Sequence, residues 1–173
     1  MPAASAGILL YRRDADGPRV LLAHPGGPFW RHRDRGAWML PKGGIGPDES
    51  AEAAARREFE EELGQPATGP LLALGTLRQK GGKQVEAFAL EGDFDPTGLR
   101  SNSFECEWPP RSGTRARFPE IDAVRWFDLA TARDHILPSQ ATLLDRLQAR
   151  LTELPEGTVI ASAPGGRGSQ DTP

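Results

Sequence analysis

At 173 residues, with 38% apolar content, four tryptophans and seven phenylalanines, the chain has the length and the apolar material for one domain with a sizeable core. A net charge of −3 and a pI near 5.7 argue against wholesale binding to nucleic acid or an anionic membrane surface, and the lone cysteine, Cys106, excludes an internal disulfide and fits a reducing compartment. The apolar run near the N-terminus, Gly7 to Tyr11, is shorter than a secretory h-region, and no stretch approaches the roughly 18 apolar residues of a membrane span, so a soluble cytoplasmic protein is expected.

Residues 5–12 (SAGILLYR) and 18–24 (PRVLLAH) read as two internal strands joined by a polar turn at 13–17. The next stretch, 24–38, has no periodicity and is dense in Gly, Pro, Arg and His. Two readings of it stand side by side. In one, Arg31, Arg33 and Arg35 meet phosphates while Phe29 or Trp30 stacks on a base; in the other it is a solvated basic loop with one buried aromatic. Trp38 to Gly44 then leads into a helix expected from about Asp48 to Leu63, with Pro47, Asp48 and Ser50 as its start signals and Gly64 and Pro66 as its stop.

Within that helix, Glu58, Glu61 and Glu62 stand at i, i+3, i+4 and share an arc about 100° wide. Alone, such neighbours repel by roughly 0.2–0.5 kcal/mol per pair, and a divalent cation reverses the sign. Clustered hard oxygen ligands suit Mg²⁺ or Mn²⁺. Ala51, Ala54 and Ala55 extend the stripe with small side chains, and Phe59 and Leu63 form an adjoining apolar face.

Beyond the helix, residues 71–78 and 84–91 predict a hairpin around Lys80-Gly81-Gly82-Lys83, followed by a polar loop at 93–101. Phe104 to Trp108 alternates strictly and reads as a strand with Glu105 and Glu107 on one face and Cys106 as a half-buried packing residue; Pro109 and Pro110 end it. A basic loop at 111–118, a strand at 123–127 with Trp126 inside, and helices at 129–135 and 139–154 complete the pattern, the last with a stripe of Leu143, Leu144, Leu147 and Leu151. Residues 1–155 thus read as one domain, and the Gly-, Pro- and Ser-rich segment 156–173 as a mobile tail.

The stretch from Gly43 to Gly64 resembles the signature of the Nudix hydrolases, G-x5-E-x7-R-E-U-x-E-E-x-G-U with U apolar: Gly43, Glu49, Arg57, Glu58, Glu61, Glu62 and Gly64 all stand at the prescribed places. Gln65 departs from the pattern, where the family has an aliphatic residue. Residues 5–150 more broadly look like a bacterial Nudix subgroup of nucleoside triphosphate pyrophosphohydrolases. The resemblance implies an α/β fold, an α/β/α sandwich around a central mixed sheet. It also implies Mg²⁺ (or Mn²⁺) held by Glu58, Glu61 and Glu62 with the Gly43 backbone nearby, Arg57 orienting a core glutamate, and Glu49 in a structural or secondary role. The general base is expected at Glu61 or Glu62, or else at Glu120, which lies before a late strand as in some family members; Glu105 and Glu107 are weaker candidates. Lys42 reads by default as a surface lysine, with the alternative that it offsets phosphate charge beside the candidate substrate contacts Arg31, Arg33, Arg35 and Trp30.

The implied function is Mg²⁺-dependent cleavage of a pyrophosphate linkage in a nucleoside di- or triphosphate derivative. A dinucleoside polyphosphate or a capped RNA end is the alternative substrate, and a nucleotide-sensing domain without turnover the alternative role. The proline or tyrosine that marks the ADP-ribose and dinucleoside polyphosphate classes is missing at 79–82, and Tyr11 is the single tyrosine. The expected partner is a small nucleotide rather than DNA or membrane, and the family's habit leaves a homodimer open.

Overall fold

The computed structural model describes residues 4–154. β1 (Ala4–Asp14) and β2 (Gly17–Pro25) pair antiparallel; the short β3 (Lys42–Gly44) pairs antiparallel with the beginning of β1. After the helix α1 (Ala51–Leu63), β4 (Leu72–Arg78) and β5 (Gln84–Glu91) form the expected hairpin, and β5 runs parallel to β1. A separate two-stranded unit follows, β6 (Ser103–Glu107) with β7 (Arg115–Pro119), before β8 (Ile121–Asp128) returns to pair antiparallel with β2. The main sheet is therefore mixed, in the order β4-β5-β1-β2-β8 with β3 alongside β1.

Alternation along β1 builds two cores at once. Ala6, Ile8 and Leu10 face α1 through Ala54, Ala55, Phe59 and Leu63, while Leu9 and Tyr11 face the other way. That second face is covered by α2 (Leu129–His135) and α3 (Thr142–Glu153), which bury Ala132, Leu143, Leu144 and Leu147. Helix, sheet and helix form the α/β/α sandwich expected from the sequence. None of the helices described is long and apolar enough to cross a membrane.

β1 changes partner along its length: Leu10–Asp14 pair with β2, whereas Ser5–Gly7 pair with β3. Where the two long strands part, the segment 39–44 passes between them, bridged to β2 at Ala23 and Met39, and lays β3 against α1. At the opposite edge, Arg146 Nη1 donates to the carbonyls of Leu74 (3.1 Å) and Thr76 (3.0 Å), blunting the exposed side of β4.

Several expected boundaries shift. α1 begins at Ala51 rather than near Asp48, because Asp48 sits at φ 60 and the Ser50 side chain accepts from the Ala53 N–H as the true N-cap. Gly64, at φ 86, closes the helix as expected, in the left-handed conformation a glycine adopts without strain. The last helix starts at Thr142, because Pro138–Gln140 form a separate 3₁₀ turn first. Residues 115–118, read as part of a loop, belong to the strand Arg115–Pro119, since Ala116 and Phe118 alternate inward opposite Cys106 and Phe104. In β8 the fully buried aromatic is Phe127; Trp126 is half-buried, with the Arg12 guanidinium 4.4 Å above its ring. Leu151 is half-buried rather than core. The expected tail, 156–173, lies outside the described residues.

Candidate active site

The carboxylates of α1 do not share one environment. Glu62 falls in the arc of Ala55 and is buried, with 8% of its surface exposed, whereas the Glu61 side chain, at the other edge of the arc, is 41% exposed. Glu58 lies between them and packs on β3: a Cβ added at Gly43 would overlap its carboxyl group. Position 43 is therefore a cradle shaped by the lack of a side chain.

Arg57 organises the opposite side. Its Nε and Nη2 donate to the two oxygens of Glu49 (both 2.9 Å), Nη2 also reaches the Gly44 carbonyl (2.9 Å), and Nη1 donates to Glu58 (2.8 Å) and more weakly to Glu61 (3.3 Å). The guanidinium, helped by the Gly46 N–H, holds the Glu49 carboxyl down at about 2. Glu49 thus fastens the loop before α1 to the helix by way of Arg57.

Glu120 reaches the site from far along the chain. The segment 100–102 takes two carbonyls at the end of α1, with Arg100 N–H on Leu63 (3.0 Å) and Asn102 N–H on Glu61 (3.1 Å). Asn102 then accepts from the Glu120 N–H (2.7 Å), and the Glu120 carbonyl accepts from the Gly26 N–H (2.8 Å). Ser101 Oγ secures the next residue by accepting from the Ile121 N–H (2.9 Å). This backbone relay sets Glu120 beside Glu58 and Glu61, whose charges, after burial, raise its pKa. Nothing periodic in the sequence marks 100–102 as the connector.

A cleft of about 420 Å³ is lined by Glu62, Glu120 and Lys42 together with the aromatic side chains of Phe29, Trp30 and Phe104. Burial foremost, then the charges of Glu58 and Glu120, push the Glu62 carboxyl up to about 8, against partial relief from the Lys42 ammonium and backbone N–H. The same burial lowers the pKa of Lys42. Of the arginines singled out in the 24–38 loop, none lines the cleft: Arg33 stacks over Trp30 at 5.3 Å, and Arg31 and Arg35 are exposed. The loop itself is anchored by His24, whose ring nitrogens meet Asp122 (2.7 Å) and the Arg33 carbonyl (2.6 Å), and by Trp38 Nε1 donating to Asp34 (2.8 Å). Glu105 and Glu107 point away on the exposed face of β6, where Glu105 pairs with Arg115 and Arg117. A larger cavity of about 550 Å³, beside Arg13, Asp14 and Gln148, offers one carboxylate, already paired with Arg12 and Arg19, and so no comparable chemistry.

Among the described residues no three His, Cys, Asp or Glu side chains form a finished metal cage, since Glu58 and Glu61 are turned to Arg57. The donor set nevertheless fits Mg²⁺ or Mn²⁺, which take few protein carboxylates and complete their shell with water and substrate phosphate. Buried Glu62, crowded by like charges, is the group that a cation would relieve.

A pH effect follows. The folded Glu62 carboxyl keeps a proton that the unfolded chain releases near its ordinary value of 4.5, so without metal this group makes the protein less stable as pH rises from 4.5 to about 8. The loss is on the order of a few kcal/mol. In EDTA, thermal unfolding of the wild type should fall more steeply across this window than that of Glu62→Gln, and added Mg²⁺ should restore stability most at the alkaline end. Parallel curves for the two proteins would contradict this.

Against known proteins, a family model described as NUDIX domain matches residues 1–147. An RNA pyrophosphohydrolase of Rhodospirillum rubrum is 30% identical over 160 residues, covering 87% of this chain and 92% of that protein. One from Hahella chejuensis is 41% identical over 69 residues, a match that takes in 36% of this chain and only 43% of the relative's length. Among solved structures, an Ap4A hydrolase binary complex from C. elegans superposes with a TM-score of 0.60 at 22% identity, over 86% of this chain and 98% of that one, a likeness of fold.

Proposed function

The chain belongs to the Nudix family, whose pyrophosphohydrolases cleave pyrophosphate bonds and which generally uses divalent metals; on that premise we propose that residues 1–155 form a Mg²⁺- or Mn²⁺-dependent hydrolase of a nucleoside di- or triphosphate derivative. The observation that carries this reading is one cleft lined by Glu62, Glu120 and Lys42 and by the aromatic rings of Phe29, Trp30 and Phe104. Glu58, Glu61 and Glu62 are the proposed metal ligands, with the Gly43 backbone against them. When bound, the cation supplies neutralisation of phosphate charge and a more acidic water. Glu120 accepts the proton of the attacking water, its raised pKa bringing it closer to the working pH. Arg57 holds Glu58 and Glu61 in place, Lys42 meets phosphate oxygen, and Trp30 lies against the nucleoside. Arg31, Arg33 and Arg35 act at longer range, as a basic margin for a longer substrate.

The test is a metal-supplemented panel of nucleoside triphosphates, nucleoside diphosphate derivatives, dinucleoside polyphosphates and 5′-triphosphorylated RNA, with products identified. Release of nucleotide monophosphate, pyrophosphate or phosphate that stops in EDTA is expected. Nucleotide binding without turnover would instead make this a sensing domain. The RNA end is a second reading, favoured by the 30% identical relative, and the RNA arm of the panel decides it. The same proposal includes a cytoplasmic setting, a nucleotide rather than DNA as partner, and a homodimer, which light scattering checks.

A further inference from the structure

The β6–β7 unit shares no ladder with the main sheet; backbone hydrogen bonds at its two ends, from Asn102 and Glu120, tie it to α1 and to Gly26, and its Phe104 lines the cleft. Its two faces differ. Glu105, Glu107, Arg115 and Arg117 are exposed on one, while Phe104, Cys106, Ala116 and Phe118 are half-buried on the other. Phe104 and Phe118 lie directly opposite each other, ring centroids 6.1 Å apart. The Phe104 ring also presses on Gly27, where an added Cβ would come within 2.8 Å of its Cζ, so this arm docks on bare backbone of the 24–38 loop.

At the end of the arm Trp108 meets Phe29 edge to face, with centroids 5.7 Å apart and planes at 84°. Phe29 is the exposed large apolar residue of the described chain, at 64%, and it lines the cleft together with Phe104. An aromatic ring left open to water within a cleft, held by a second ring from another element, is a surface prepared for a flat apolar ligand. Lys42, Glu62 and Glu120 in the same lining match the other half of such a ligand's chemistry, a polyphosphate with its cation.

We propose that the β6–β7 arm is the base-recognition element of this cleft: Phe104 and Phe29 receive the nucleobase of the substrate, and Trp108 is a positioning residue that holds Phe29 in place. The assignment rests on the nucleotide hydrolase reading above and adds to it the element that receives the base. The rings offer π faces and no hydrogen-bonding group for a base edge, so bases are accepted by stacking and with little discrimination among them. What the arm rejects is a polyphosphate without a base.

The experiment compares nucleoside triphosphates with ribose 5-triphosphate, which lacks only the base, in the full-length chain. Trp108→Ala should raise KM about tenfold or more for each of the four nucleoside triphosphates, in line with the worth of one stacked base, leave kcat within about threefold, and leave ribose 5-triphosphate unaffected. Trp108→Phe should restore most of the loss, which a collapsed hairpin would not allow. Equal weakening of both substrate types, or no weakening of either, overturns the proposal. Binding is read separately, as nucleotide quenching of the fluorescence component that Trp108→Phe removes. A protein that hydrolyses nothing yet shows this quenching keeps the base site and loses the hydrolase reading. One that shows neither has no base site.

Discussion

Glu62→Gln is expected to lose hydrolysis by about 10³-fold or more, while the metal-free protein becomes no less stable at pH 8, and even more so. The two effects have one cause. The buried carboxylate is unfavourable to the bare fold because burial and the charges of Glu58 and Glu120 oppose its ionisation, and its proposed task is to hold the cation that supplies several kcal/mol of charge stabilisation to the reaction, each 1.4 kcal/mol being tenfold in rate. Glutamine keeps the volume and removes the charge. Glu58→Gln should act similarly on rate, and both should weaken Mg²⁺ binding in calorimetry. Glu120→Gln separates the roles: a loss of 10²- to 10⁴-fold in kcat, of the order expected for a general base, with Mg²⁺ affinity kept. Initial rates, unfolding midpoints in EDTA and metal titrations together check this pattern. A Glu62→Gln protein that turns over substrate normally would remove the metal site from this cleft.

Gly43→Ala is expected to cost about a hundredfold in kcat/KM, and Gly44→Ala next to it almost nothing. A methyl at 43 overlaps the Glu58 carboxyl and must displace it, breaking its 2.8 Å bond from Arg57, whereas a methyl at 44 meets nothing within 4 Å. A displacement of about 1 Å in a reacting constellation carries a penalty of this size. Kinetics of the two variants side by side, with circular dichroism to confirm folding, provide the measurement. Equal activity in both would show that the Glu58 carboxyl can shift without consequence and so is not a ligand.

Much of this architecture was legible in the chain. The spacing of Glu58, Glu61 and Glu62, the stop at Gly64, the hairpin at 72–91 and the helix at 129–135 are local patterns, set by helical and strand periodicity and by turn chemistry within a few residues. The match from Gly43 to Gly64 therefore announced both the helix and the family. Less legible were β3, which is three residues of a glycine turn made into strand only by β1, and β7, whose partner lies across a proline-broken connection.

Sequence periodicity alone placed three glutamates on one arc of α1, because a helix repeats every 3.6 residues whatever surrounds it. It does not say which of them the sheet will bury, and the packing of α1 on β1 and β3 made that choice, leaving Glu62 enclosed and Glu61 open. Nor do local rules bring Glu120 to α1 or Trp108 to Phe29. Those meetings join residues dozens of positions apart, and they depend on backbone hydrogen bonds from 100–102 and on an arm that docks through its aromatic face. Three carboxylates on one arc of a helix belong to the sequence, whereas the cleft that Glu62 and Glu120 line together exists only once distant segments have packed.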